Sequence, residues 1–164
     1  MYLWVVRHAI AIDRADPECP SDPDRELTAK GRSRMERAAM GLRRLGMTPE
    51  RIVASPYVRA FQTAEVLAQA FLIPEVEITP ALEPEQDPMV ILSELGKSPS
   101  IDTVVCGHAP HVDRLIARVC GAPGPFTSMK KGATAAIECP DGIESPGILR
   151  WMMTPRQLRA RADR

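Results

Sequence analysis

The sequence predicts an α/β fold, a three-layer α/β/α sandwich around a mainly parallel central sheet. Two observations carry that expectation. Short apolar runs alternate along the chain with longer stretches whose apolar residues recur at helical spacing. Three of those runs also end in residues fit for chemistry. Tyr2-Leu3-Trp4-Val5-Val6 leads into Arg7-His8-Ala9, Val104-Val105-Cys106 leads into Gly107-His108, and Ile52-Val53-Ala54 leads into Ser55-Pro56, with Arg59 within the next helical turn. In open parallel sheets, ligands bind beyond the carboxyl ends of the strands.

The first strand covers Tyr2 to Val6, and a Pro- and Asp-rich loop follows from about Asp13 to Glu26. Thr28 can cap the next helix, whose inner face is Met35, Ala38, Ala39, Leu42 and Leu45 and whose stop is Gly46. The basic residues on its other faces, Arg32, Arg34, Arg37, Arg43 and Arg44, read as a solvated surface. Ile52 to Ser55 forms the second strand, with Ser55 as helix N-cap and Pro56 as first helical residue. Phe61, Ala64, Leu67, Ala68 and Phe71 form that helix's apolar stripe. Val76 to Ile78 is a short strand. Asp87-Pro88 opens a helix through Val90, Ile91, Leu92 and Leu95 that Gly96 ends.

Ile101 to Cys106 is a buried strand. Pro110 opens a helix that turns Val112, Leu115, Ile116 and Val119 inward and stops at Gly121. Thr134 to Cys139 and Ile148 to Met153 pair as an antiparallel hairpin around Pro140-Asp141-Gly142. Residues from Pro155 onward are basic and expected at the surface or frayed. There is no linker, repeat or low-complexity block, so residues 1–164 read as one domain.

Composition narrows the function classes. With 45% apolar residues and 21 basic against 21 acidic side chains, the chain is of globular type. Zero net charge argues against nucleic acid as the main partner. No apolar run approaches a bilayer span, and Arg7 interrupts the first one, so neither a membrane segment nor a signal peptide is expected. The four cysteines, Cys19, Cys106, Cys120 and Cys139, form no Cys-x-x-Cys pair. A reduced, cytoplasmic monomer is the expectation.

Two histidines and two arginines at one sheet edge would make an anion pocket holding a nucleophile. Arg7 can present a planar fork to phosphate oxygens. Arg59 sits in the first turn of a helix, with Thr63 one turn on to brace it, and His108 follows a glycine that permits close approach. Each piece alone reads as an ordinary structural residue; the convergence at three strand ends gives it weight. His108-x-x-His111 suggests a metal only weakly, because no third ligand stands at a helpful spacing. No metal or cofactor is expected, and His111 reads as a pocket-rim or helix-surface residue. Lys130 and Lys131 read as a solvated turn, with contact of one of them to an acidic partner protein at the pocket mouth as the alternative.

The motifs then carry a family resemblance that runs nearly end to end. Arg7-His8-Ala9 resembles the Arg-His-Gly signature of the histidine phosphatase superfamily, the phosphoglycerate-mutase-like fold. Ser55-Pro56-Tyr57-Val58-Arg59-Ala60-Phe61-Gln62-Thr63-Ala64 resembles its Ser-Pro-x-x-Arg-Ala-x-x-Thr-Ala motif. Gly107-His108 resembles the segment of the second histidine, and Arg25-Glu26-Leu27-Thr28-Ala29-Lys30-Gly31 the Arg-x-Leu-Thr-x-x-Gly segment. The short length and the Trp151-Met152-Met153-Thr154-Pro155 ending look most like the SixA-type phosphohistidine phosphatases.

The resemblance implies roles. His8 would accept the phosphoryl group, and Arg7, Arg59 and His108 would clamp its oxygens. Two departures stand out. Ala9 replaces the usual glycine, and its methyl group could narrow the pocket or alter the turn. There is little room for the inserted carboxylic acid of larger members, and Glu83, Glu85 and Asp87 lie in the right stretch with no clear match. Phosphohistidine needs less leaving-group protonation than an alkyl ester, so the expected substrate is a phosphohistidine protein in signalling or phosphotransfer. The alternatives are a small-molecule phosphomonoesterase on the same scaffold and a non-catalytic phosphoprotein-binding relative.

Overall fold

The computed structural model describes residues 1–98 and 100–163. Six strands form one sheet: β1 Tyr2–Arg7, β2 Arg51–Ala54, β3 Glu77–Ile78, β4 Thr103–Gly107, β5 Thr134–Glu138 and β6 Ile148–Met153. Their order is β3-β2-β4-β1-β5-β6. The four strands from β3 to β1 run parallel, and β5 and β6 add antiparallel pairs at the far edge. This is the α/β arrangement that the sequence predicts.

Alternation along the strands builds two cores, as a period-two pattern must when both faces are covered. Leu3 and Val5 join Val53, Val105, Ala135 and Ile137 on one face. There they meet α3 (Pro88–Leu95) and α4 (His111–Val119) through Ile91, Leu95, Val112, Leu115 and Ile116. Trp4 and Val6 join Ile52, Ala54, Val104, Cys106 and Ala136 on the other face. Those residues pack on α1 (Ala29–Arg44), α2 (Val58–Phe71) and α5 (Pro155–Ala162).

Several expectations need correction. The tail is not frayed: α5 begins with a capping box between Thr154 and Gln157, buries Leu158 and Ala162, and packs on α1. Gly41 makes this contact possible, because a Cβ there would stand 2.0 Å from the Leu158 carbonyl oxygen. Ser55 is not the cap of α2. The helix starts at Val58, and the Ser55 hydroxyl turns to other partners. Val90 faces solvent, and Phe61 and Phe71 are only half-buried; Ala64, Leu67 and Ala68 of the predicted stripe are buried, with Ala60, Thr63 and Val66 added to them. β5 and β6 do pair, but through a loop over 139–147 rather than a tight turn.

Candidate active site

Register brings the site together. Arg7 of β1 lies opposite Gly107 of β4, and Cys106 lies between Val6 and Ala54. The His8 amide continues the ladder by donating to the Gly107 carbonyl at 3.0 Å, and the Ser55 amide donates to the Cys106 carbonyl at 3.0 Å. His8, His108 and Ser55 therefore leave the sheet side by side, at the carboxyl ends of three adjacent parallel strands. A pocket of about 310 Å³ opens there, and its lining includes Arg7, His8, Arg59 and His108. Arg14, Arg25 and Lys131 extend its cationic wall, while Asp13 is its only carboxylate among the described residues. All four site residues predicted from sequence thus share one pocket.

His8 is 5% exposed, and its Nδ1 lies 2.7 Å from the Ala9 carbonyl oxygen. A carbonyl can only accept, so Nδ1 carries the proton and Nε2 keeps its lone pair. Burial first, then the nearby charges of Arg59, Arg7 and Lys131, hold the ring at a pKa of about 3 against the opposing bond to Ala9. The imidazole is neutral at ordinary pH, with one free basic nitrogen.

His108 is also buried, and its ring centre lies 5.2 Å from that of His8. Its Nε2 meets Ser55 Oγ at 2.9 Å, and the same hydroxyl accepts the Tyr57 amide at 3.3 Å. A hydroxyl that accepts from the amide can donate to Nε2, and that tautomer leaves Nδ1–H as a donor. Nδ1 is buried without a partner among the described residues. Burial, followed by His8 and Arg59, lowers the ring's pKa to about 2. Tyr57 packs edge-on against His108 at 5.0 Å and lies beneath Arg59, whose guanidinium carbon is 5.0 Å from the ring centre. This is why Ser55 does not cap α2.

The arginines are held by residues that the sequence reading missed. Asp22, in a single 3-10 turn (Asp22–Asp24), accepts from Arg14 at 2.9 Å, Arg25 at 2.8 Å and Arg59 at 3.2 Å. Its backbone carbonyl accepts a second Arg59 bond. Burial opposes its ionisation, but the bonds from Arg14 and Arg25 and the charge of Arg59 keep the carboxyl well below the usual range. Arg25 also donates to the Ile12 carbonyl at 2.9 Å, which accounts for the arginine of the Arg-x-Leu-Thr-x-x-Gly segment. Thr28 of that segment caps α1, and Gly31 admits the Ile10 carbonyl oxygen 2.0 Å from where a Cβ would sit. Only the polar, turn-forming composition of the 13–26 loop hinted at Asp22.

Arg7 donates to the Met129 carbonyl at 2.6 Å. Asp113 organises that segment by accepting from the Met129 amide at 3.0 Å and from the Thr127 hydroxyl at 2.7 Å. The Nε atoms of Arg7 and Arg59 are buried without partners among the described residues. With His108 Nδ1, they are three buried nitrogens without partners on residues that line one pocket, a donor set suited to the oxygens of an anion.

Thr63 braces the site in a way other than expected. Its hydroxyl donates to the Arg59 carbonyl at 2.7 Å and accepts the Ala9 amide at 3.0 Å, which ties the turn after β1 to α2. The Ala9 methyl does not narrow the pocket: it is buried in the core and lines a neighbouring cleft instead. Nor does the turn need glycine, since Ala9 is not among the residues with positive φ.

Other expectations fail on position. Glu83, Glu85 and Asp87 do not line the pocket; Asp87 caps α3 through the Met89 amide, and only Pro84 of that stretch reaches the wall. His111 is not at a rim or surface. It is fully buried, both ring nitrogens lack partners among the described residues, and burial followed by Arg114 lowers its pKa to about 4. Lys131 does line the pocket, the position that the pocket-mouth alternative gives it, while a contact with an acidic partner stays an expectation. Among the described residues, no group of three or more His, Cys, Asp or Glu side chains is placed to hold a metal ion, and no helix is long and apolar enough to cross a membrane.

Comparison with known proteins agrees with this geometry. Residues 3–85, which carry β1, Arg59 and the Asp22 loop, match the family described as the histidine phosphatase superfamily (branch 1). The chain is 37% identical over 141 residues to an uncharacterised protein of Picosynechococcus sp., with 84% of each chain covered. It is 31% identical over 165 residues to the phosphohistidine phosphatase SixA of Escherichia coli, with 97% of each covered. Its fold superposes on the tungstate complex of the protein histidine phosphatase SixA with a TM-score of 0.85, at 28% identity, covering 96% of this chain and 99% of the other. Paired histidines at the ends of β1 and β4, arginines around them and similarity along almost the whole length converge on one assignment: the chain belongs to the histidine phosphatase superfamily, as a phosphatase of the SixA type.

Proposed function

We propose that the protein hydrolyses phosphohistidine on a signalling or phosphotransfer protein, through a phosphohistidine intermediate on His8. The observation that carries the chemistry is the bond from His8 Nδ1 to the Ala9 carbonyl. It fixes the tautomer in which Nε2 is free, and burial, followed by the surrounding cations, keeps that nitrogen unprotonated. In the first step, Nε2 attacks phosphorus, the bond to the substrate imidazole breaks, and the leaving nitrogen takes a proton from solvent. In the second step, water attacks the phosphoryl group, its proton is released, and the P–N bond to His8 breaks. Arg7, Arg59 and His108 bind the phosphoryl oxygens, where preorganised donors offset charge that develops in the transition state. The similarity to SixA supports the phosphohistidine substrate. So does the scarcity of carboxylates on the pocket wall, because alkyl leaving groups need a proton donor more than imidazole does. No cofactor enters these steps, and the protein acts as a cytoplasmic monomer.

One observation favours a second reading. Asp13 does line the pocket, and its carboxyl group, once protonated, could give that proton to a leaving alkoxide, as a small-molecule phosphomonoesterase requires. A substrate panel separates the two. On the first reading, the enzyme turns over a phosphohistidine protein and aryl phosphates, is poor on sugar phosphates, and Asp13→Asn changes phosphohistidine turnover less than tenfold. Fast sugar-phosphate turnover that Asp13→Asn removes would favour the second. His8→Ala should remove turnover and any trapped acid-labile phosphoenzyme; a phosphoenzyme persisting in that variant sinks the nucleophile assignment.

A further inference from the structure

A second cleft, of about 480 Å³, opens beside the phosphoryl pocket. It lies between the turn after β1, the first turns of α1 and α5, and the segment entering β5. Six cations line it: Arg7, Arg34, Lys130, Lys131, Arg156 and Arg159. No carboxylate lines it, and none of the six forms an ion pair among the described residues. Its remaining wall is largely apolar, with Ile10, Met35 and Pro155. Arg7 and Lys131 line both the cleft and the phosphoryl pocket, so the two sites adjoin. Burial, and then the like charges of Arg34, Arg37 and Arg156, pull the Arg159 guanidinium below its ordinary range. The positive ends of the α1 and α5 dipoles add to the same field.

Mutual repulsion among unpaired cations around an apolar floor costs stability unless an anion completes it. A neutral chain has 21 acidic side chains available, and none has been placed here. We infer that this cleft is an acidic-residue subsite, which takes Asp or Glu side chains flanking the phosphorylated histidine on the substrate protein. The inference rests on the phosphohistidine reading for the neighbouring pocket. A phosphorylated side chain seated between Arg7 and His108 places the adjacent surface of its own protein over the cleft mouth. The cations then select an acidic neighbourhood, and Ile10, Met35 and Pro155 accept the apolar stem of the acidic side chain or its neighbour. The subsite would sort phosphohistidine proteins by what surrounds the phosphoryl group, a task that the phosphoryl clamp cannot perform.

Two measurements on the full chain test this separately. The first compares a histidine peptide phosphorylated with phosphoramidate and flanked by two glutamates with the same peptide carrying glutamines. The wild-type enzyme should favour the glutamate peptide at least tenfold in kcat/KM at low salt, and the preference should shrink as salt rises. The double variant Arg34→Glu with Arg156→Glu should lose that preference and keep p-nitrophenyl phosphate turnover within twofold. The second measurement titrates the unphosphorylated glutamate peptide into 15N-labelled protein. The Gly31 and Gly132 amide signals should shift with it, and not with the glutamine peptide. Equal kcat/KM for the two phosphopeptides, or equal shifts with both unphosphorylated peptides, overturns the subsite. Failure to turn over either phosphopeptide, with glutamate-specific shifts retained, overturns the phosphohistidine reading and leaves the acidic subsite standing.

Discussion

The three histidines make stability depend steeply on pH. His8, His108 and His111 are all buried, and burial is the first cause of the low pKa in each. They titrate near 3, 2 and 4, against 6.5 for an unperturbed imidazole. Between about pH 4 and pH 6.5 the unfolded chain therefore binds protons that the folded chain refuses, and falling pH favours unfolding. The stabilisation is fully present above the unfolded value and is lost as pH falls below it. From about pH 7 to about pH 5.5, each imidazole accounts for roughly 1.2 kcal/mol, or about 4 kcal/mol for the three. Against a total of about 5–15 kcal/mol for an ordinary domain, that loss is large.

Urea unfolding followed by circular dichroism at the two pH values measures it. With a slope of about 2 kcal/mol/M, the midpoint should fall by about 2 M. A change below about 1 kcal/mol over that interval would refute the reasoning, because it would mean that the folded imidazoles are charged or open to water. His111→Leu identifies one third of the effect. Neither nitrogen of His111 has a partner among the described residues, so at pH 7 the variant should be as stable as the parent or up to about 1 kcal/mol more so. Its pH dependence should weaken by about one proton.

Three more outcomes follow from the contacts. Arg59→Ala should lower kcat/KM on p-nitrophenyl phosphate about a hundredfold, and Arg59→Lys should not rescue it, because a point charge cannot replace a planar fork. Asp22→Asn should cost about 1–3 kcal/mol in urea unfolding, since Arg25 and Arg59 stay buried without a counter-charge while partial exposure of Asp22 softens the loss. It should also raise KM for aryl phosphates, as Arg59 loses its anchor. Gly41→Ala should cost about 1–3 kcal/mol, read as a lower melting temperature, because its methyl group meets the Leu158 carbonyl and pushes α5 from α1.

What the sequence disclosed and what it withheld divide along a physical line. Strand periodicity and the residues just past each strand end put Arg7, His8, Arg59 and His108 at one edge, because parallel register is set by the strands that carry them. Polar partners were less legible. Asp22 lies 37 residues from Arg59, and only the fold of an irregular loop brings it there. Ser55 matched a cap pattern locally, but a tertiary bond to His108 claims its hydroxyl. The tail looked solvated because basic residues dominate it, yet Leu158 and Ala162 at i, i+4 bury against α1. Gly41 is the complementary signal, a small residue on the helix face that receives them. His111 was misplaced because a histidine on an amphipathic helix has no pattern that separates a buried site from a rim.

The low pKa of His8, set first by burial and then by the arginines and Lys131 around it, has a consequence for ligand binding. Arg7, Arg14, Arg25, Arg59 and Lys131 line the candidate pocket, and the carboxylates that act on them include Asp13 on its wall, Asp113 near Arg7, and Asp22, which pairs with three of the arginines. Protonating His8 would add another cation to that excess, so burial and the neighbouring charges together keep Nε2 basic in place but unprotonated. A bound dianion reverses the sign of the field. It makes a cationic imidazole more favourable, so binding an anion and taking up a proton must be linked. Inorganic phosphate, a ligand of the folded state alone, should then stabilise the protein more at about pH 5.5 than at about pH 7, once the change in its own ionisation is accounted for. The steep loss of stability on acidification should flatten in its presence, and calorimetry should record proton uptake on binding. If phosphate stabilised the fold equally at both pH values with no proton uptake, the imidazoles would lie outside the anion's field, and the pocket would hold its ligand through the arginines alone.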